Sequence, residues 1–204
     1  GAWVTPFVSH PTVPATIFVG LKQVWKSTNR GDTWTQISNF TDASSNVDML
    51  QIAPSNGDYI YMSKGSTLRR TTDGGTTWTN LTSPSGNSIT YMAIHQSNPN
   101  KIWVSISGFS SGQKVYQSTN GGSTWTNISG TLPNVPANTI VFQNNFLGRL
   151  YVGTDIGVYY RDSTATDWVD FNTNLPNVVI DELEIQYSSS KLRAATFGRG
   201  LWEV

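Results

Sequence analysis

The chain has no cysteine, which excludes a disulfide framework, a thiolate metal site and a thiol nucleophile. It is also poor in charge. Only 13% of its 204 residues are Asp, Glu, Lys or Arg, against about a quarter in an ordinary soluble domain. The 13 basic and 13 acidic side chains cancel. A nucleic-acid or anionic-membrane surface needs a basic excess, so no nucleic-acid partner is expected. No run of 18 apolar residues occurs, so no membrane insertion is expected either. The opening residues do not read as a signal peptide, and helical patterning is missing throughout.

Ser, Thr, Asn and Gly fill the polar positions instead, and eight Trp, eight Tyr and eight Phe supply large buried surfaces. A Cys-free, Thr/Asn-rich β composition suits a secreted bacterial protein. The decisive feature is a repeat. STNRGDTW at Ser27–Trp34 returns as TTDGGTTW at Thr71–Trp78, as STNGGSTW at Ser118–Trp125, and in worn form as RDSTATDW ending at Trp168. The tryptophans stand 44, 47 and 43 residues apart. That period, without helices, predicts the blades of a β-propeller.

Each copy holds more than the octapeptide. A first strand is predicted at Thr5–Ser9, Asp48–Ile52, Thr90–Ile94, Asn138–Phe142 and Asp181–Ile185, with Phe7, Leu50, Met92, Ile140 and Leu183 in one apolar column. A turn rich in Pro, Asn, Gly or Ser follows. The second strand ends on a small residue (Gly20, Ser63, Ser105, Gly153, Ala195), as close backbone approach would require. The third strand carries Trp25, Arg69, Tyr116, Tyr159 and Trp202 in one register. The octapeptide turn and an outer strand complete the first four copies. The fifth stops at Val204 in its third strand, and Trp3 lies too close to Thr5 to supply the missing one. One domain is expected, with blades at about 4–40, 46–83, 88–130, 137–174 and 178–204. It is either five-bladed or part of a larger propeller.

The octapeptide fits a hairpin turn. Asn29, Asp73 and Asn120 bond backbone amides of their own turn, Gly31, Gly75 and Gly122 take positive φ, and Trp34, Trp78, Trp125 and Trp168 pack against the sheets. This pattern resembles the Asp-box, or bacterial neuraminidase repeat, of sialidases, xyloglucan-degrading endoglucanases, sortilin-type receptors and photosystem assembly factors. The resemblance implies an all-β propeller of four-stranded Asp-box blades, four full and a fifth lacking its outer strand, with the boxes structural and peripheral. In the fourth copy Ser163 and Ala165 replace the Asp and Gly. The stretch ATFGRGLWE at Ala195–Glu203 resembles the closing segment of large secreted bacterial propeller proteins, where accessory modules or a type IX sorting domain follow. That implies a secreted or cell-surface protein of which these are the carboxy-terminal blades.

Propeller ligands meet strand ends where loops converge. The lead position of the first strand is polar in every copy: Thr5, Asp48, Thr90, Asn138 and Asp181. These groups either bind a sugar or a cation or simply solvate the strand ends. Asp48 and Asp181 are the candidate acids for glycoside hydrolysis, which takes two carboxylates in inverting or retaining geometry. The xyloglucan-degrading enzymes that this chain resembles draw one aspartate from each of two propellers, and one chain of this length does not supply both. A sialidase needs converging arginines, and none of the seven arginines aligns with a lead position. His10 and His95 occupy matching places without a third ligand. No metal and no cofactor is therefore expected. Trp25, Tyr116, Tyr159 and Trp202 either stack on sugars or pack between blades. The sequence reads as a non-catalytic extracellular module for a glycan or protein ligand. The alternatives are a glycoside hydrolase or a part of one, and an assembly or sorting scaffold. The terminal blade, short of a strand, is expected to pair with another chain or the rest of a precursor, or to be capped by Gly1–Val4.

Overall fold

The computed structural model describes residues 4–42, 45–144 and 147–203, all strand, turn or coil. Strands alternate inward and outward residues because the side-chain period is two, and turns of two or more residues reverse the chain between them. The first blade is β1 (Phe7–Ser9), β2 (Ile17–Gly20), β3 (Val24–Ser27) and β4 (Thr35–Gln36). The second is β5 (Met49–Ala53), β6 (Asn56–Lys64), β7 (Thr67–Thr71) and β8 (Thr79–Leu81). The third is β9 (Ile89–Ile94), β10 (Ile102–Ile106), β11 (Val115–Ser118) and β12 (Thr126–Asn127). The fourth is β13 (Ala137–Gln143), β14 (Arg149–Thr154), β15 (Gly157–Arg161) and β16 (Val169–Asp170). The fifth is β17 (Ile180–Gln186), β18 (Lys191–Thr196) and β19 (Gly200–Glu203), a three-stranded sheet. Every sheet is a meander in sequence order. The fold is an all-β propeller type, four four-stranded blades and one of three strands. Gly1–Trp3 and Val204, and with them the expected capping by Gly1–Val4 and the role of Trp3, lie outside the described residues, as do Asn145 and Phe146 of the fourth copy's turn.

The chain groups into two compact units. One runs to Ile89 and adds Ile94–Ile102 and Thr119–Thr124; the other takes Thr90–Ala93, Trp103–Ser118 and the chain from Trp125 onward. In the first, Phe18, Val24, Phe40, Val47, Leu50, Ile60 and Met62 form a core, with Val8, Ile37, Ile52 and Trp78 against it. Gly20 is needed there, since a Cβ would meet Val47 at 2.7 Å. In the second unit Trp103 stacks on Phe142 at 4.6 Å within a core that includes Ile140, Val152 and Trp168. A further cluster gathers Tyr151, Ile180, Leu183 and Leu192. Gly153 is pinned there in the same way, with Ile180 2.6 Å from where its Cβ would stand.

Two expectations need correction. Leu50, Met92, Ile140 and Leu183 are buried, but Phe7 of the same column is 57% exposed. β1 turns Val8 into the core, so alternation sends Phe7 to the opposite face of the blade. The octapeptide tryptophans are not equally buried either. Trp168 is 7% exposed, Trp78 and Trp125 are half-buried, and Trp34 is exposed at 37%. The indole N–H of Trp78 donates to Ile37 O and that of Trp168 to Ile128 O, each reaching back to the outer part of the preceding blade. Trp34 belongs to the first blade of the chain, so the described residues hold no preceding outer strand for it to reach.

Candidate functional site

The octapeptide turns are self-contained hydrogen-bond cages. Asp73 Oδ1 accepts from Thr71 Oγ1 at 2.7 Å and Thr77 N at 2.8 Å, and Oδ2 from Thr77 Oγ1 at 2.6 Å. Asn29 and Asn120 accept from Thr33 N and Thr124 N, both at 2.9 Å. Gly31, Gly75 and Gly122 have φ of 101°, 99° and 88°. The hydrogen bonds from Thr77, first its side chain and then its backbone, and from Thr71 pull the Asp73 carboxyl down to about 2. In the fourth copy the acid has moved. Asp162, one place before Ser163, accepts from Thr164 N at 2.9 Å and Ala165 N at 3.1 Å. The sequence signal for it was an Asp inside the worn motif, displaced by one residue.

The lead residues occupy the starts of the inner strands. In the first unit Thr5 and Asp48 are exposed, and Asp48 Oδ2 accepts from Gly65 N, closing the β6–β7 turn. In the second unit Thr90 Oγ1 donates to Ala137 O at 2.6 Å, and Asn138 Nδ2 to Ile180 O at 3.2 Å. Each of these bonds runs to the residue just before the next blade's lead position, so the two side chains latch successive blades. Asp181 is exposed. His10 Nδ1 accepts from Thr12 N and Val13 N, both at 3.2 Å, and His95 Nδ1 from Ser97 N at 3.2 Å. The matching histidines thus hold matching turns. Burial, then the Lys101 charge, lowers the His95 pKa. Among the described residues no three His, Asp or Glu side chains group to hold a metal.

The third-strand column proves informative through its exception. Trp25, Arg69, Tyr116 and Tyr159 face Gln36, Asn80, Asn127 and Asp170 across to the outer strand. Tyr116 is buried, Tyr159 packs on the second unit's core and Trp202 on its smaller cluster. Arg69 instead places its guanidinium 4.5 Å from the Phe40 ring centroid. Its Nε donates to Asn80 Oδ1 and its Nη2 to Asp42 Oδ2, both at 2.8 Å. Lys64 Nζ donates to Lys22 O at 2.8 Å and stands 3.8 Å from Asp42 Oδ1. The Asp42 carboxyl is pulled below its ordinary value by these two cations against the opposing effect of burial. Burial pushes Lys64 down. Beside this cluster lies a cavity of about 350 Å³ lined by Asn39, Phe40, Thr41, Arg69, Thr76, Trp78 and Asn80.

The sequence profile described as "Sortilin, neurotensin receptor 3" (Sortilin-Vps10) matches residues 22–135, more than half of the chain. The chain belongs to the Sortilin-Vps10 family. No curated protein matches it. Solved structures similar to it include an ancestral GH74 enzyme (20% identity, TM-score 0.77, 97% of this chain and 30% of that one). The GH74 xyloglucanase from Xanthomonas campestris is another (14% identity, TM-score 0.76, 100% and 36%). A third is YCF48 bound to D1 peptide (13% identity, TM-score 0.68, 97% and 64%). The chain spans about a third of the two GH74 proteins and somewhat under two thirds of YCF48. At these identities the likeness establishes the propeller fold alone.

Proposed function

We propose that this chain is a non-catalytic propeller module of a secreted or cell-surface bacterial protein and binds a glycan or a protein ligand. The observation that carries this reading is membership, over residues 22–135, of a family whose description names a receptor. The engagement of the first acid candidate agrees with it: Asp48 holds a turn amide. A structurally similar propeller solved with a peptide bound, YCF48 with D1 peptide, supports the protein-ligand branch and with it an assembly or sorting role.

The second reading, a glycoside hydrolase or part of one, is favoured by the fold likeness to GH74 enzymes. A glycan array and a peptide-capture assay, run beside a reducing-sugar assay on polysaccharides, separate the two. Saturable binding without release of reducing ends is expected. Turnover that disappears in Asp48→Asn or Asp181→Asn would replace the binding reading with the enzymatic one.

A further inference from the structure

In a repeat protein a position that is the same in every copy serves the fold, and a position that departs in one copy asks for its own reason. Blade two departs twice. Arg69 stands where the other copies carry Trp25, Tyr116, Tyr159 and Trp202, and Lys64 where they carry Leu21, Ile106, Thr154 and Thr196. Arg69 is 9% exposed and Lys64 5%. Burying two cations against the single carboxylate of Asp42 costs desolvation that an aromatic and an aliphatic side chain avoid, and buried ion pairs seldom stabilise relative to apolar substitutes. Packing alone does not account for the pair.

The cluster is also unfinished. Arg69 Nη1 is buried and has no hydrogen-bond partner, although the other two guanidinium nitrogens are engaged. Lys64 and Arg69 share one contacting carboxylate, Asp42, and Asp48 acts on Lys64 only through its charge. The adjoining cavity, about 350 Å³, lies at the lower end of small-molecule sites, roughly 300–1,000 Å³. Its wall combines the indole of Trp78 with the amides of Asn39 and Asn80 and the hydroxyls of Thr41 and Thr76. An aromatic face flanked by amides and hydroxyls suits a pyranose ring, and the spare arginine donor suits an anionic oxygen on it.

We propose that this cavity between the Trp78 turn and Arg69 is a subsite for a sugar bearing a ring carboxylate, a hexuronic acid residue of an acidic polysaccharide. On binding, the Arg69 guanidinium turns so that Nη1, closed to solvent in the free protein, donates to the carboxylate; the ring lies against Trp78, and the Asn and Thr side chains meet its hydroxyls. This deepens the binding-module reading and rests on it.

The test is calorimetric titration of the full chain with glucuronate and galacturonate, with glucose and galactose as neutral counterparts. At least one uronate is expected to bind saturably, about tenfold or more tighter than its neutral parent. Arg69→Tyr installs the tyrosine that other blades carry and leaves Asp42 paired with Lys64; uronate affinity should fall at least tenfold. Should that variant fold poorly, Asn39→Asp places a negative charge at the exposed mouth, and it should weaken uronate but not the array's other ligands, with an unchanged melting temperature. No saturable uronate binding by the wild-type chain at millimolar concentration overturns the proposal, as do equal affinity for the neutral sugar or full affinity in a folded variant. If uronates fail while another glycan or a peptide is captured, the module reading stands and only the cavity's assignment falls. If nothing is captured in any assay, both fall.

Discussion

At the caging position of the three well-formed octapeptide turns only Asp73 is a carboxylate; Asn29 and Asn120 make the same amide contacts without charge. Its carboxyl ionises at about 2, against an ordinary 3.8, because the folded turn donates hydrogen bonds to the charged form. A carboxyl depressed in the folded state adds stability above its unfolded value and loses that contribution as pH falls through the folded one. The window is therefore from about pH 4 down to about pH 2. Thermal melts across this window should show wild type losing more stability than Asp73→Asn, whose side chain does not titrate. Parallel curves for the two proteins would mean that the turn does not depend on the charge. Asp162, Asp167 and Glu203 are also held below their ordinary values, so the difference between the two curves is the informative quantity.

At the scale of one element and its neighbour, the octapeptide tryptophan acts as a staple, and its worth depends on what lies behind it. Trp168 is buried and bonded to Ile128 O. Its replacement by Ala should cost about 3–5 kcal/mol, the range for a large buried aromatic. Trp34 closes a better-formed copy of the motif but is exposed at 37%, so Trp34→Ala should cost well under about 1 kcal/mol. Denaturant titration of both variants checks the contrast; equal losses would show that the motif stabilises through its own turn. The latches between blades give a smaller effect. Thr90→Val removes the donor to Ala137 O and should cost about 1 kcal/mol, measured in the same titration.

These contrasts mark how far the sequence could be read. The sheets were legible because a meander of short strands recurs every 43 to 47 residues and each strand alternates. The glycines of the turns were legible because the motif's φ values are local. Burial of Trp34 and Phe7 was not, since it depends on whether a neighbouring sheet covers that face, and identical motifs carry no record of it. Asp162 escaped because a displaced acid breaks the alignment while keeping the chemistry. Arg69 was visible as the odd member of an aromatic column. Its meaning depended on Asp42, 27 residues earlier in the loop after the preceding blade, a pairing that no local pattern announces.

On the scale of the whole molecule the last blade sets the behaviour in solution. β19 pairs with β18 and, among the described residues, with no further strand. An unpaired strand edge is a template for another chain unless charge or shape protects it. Part of that protection is present: Glu203 is gripped by Lys191 and Arg193, which puts three charges across β18 and β19. The rest of the segment exposes Leu201 at 67% and Phe197 at 74%, with the exposed Arg199 between them. Charge at one end and bare aliphatic and aromatic surface at the other leave the edge half guarded, so the chain should associate as its concentration rises. Size-exclusion chromatography with light scattering should show a rising mean mass, and Leu201→Lys, which extends the charged guard along β19, should return it toward monomer without lowering the melting temperature. A wild-type chain that stays monomeric across the concentration range would show that Glu203 and its two partners already suffice to close the edge.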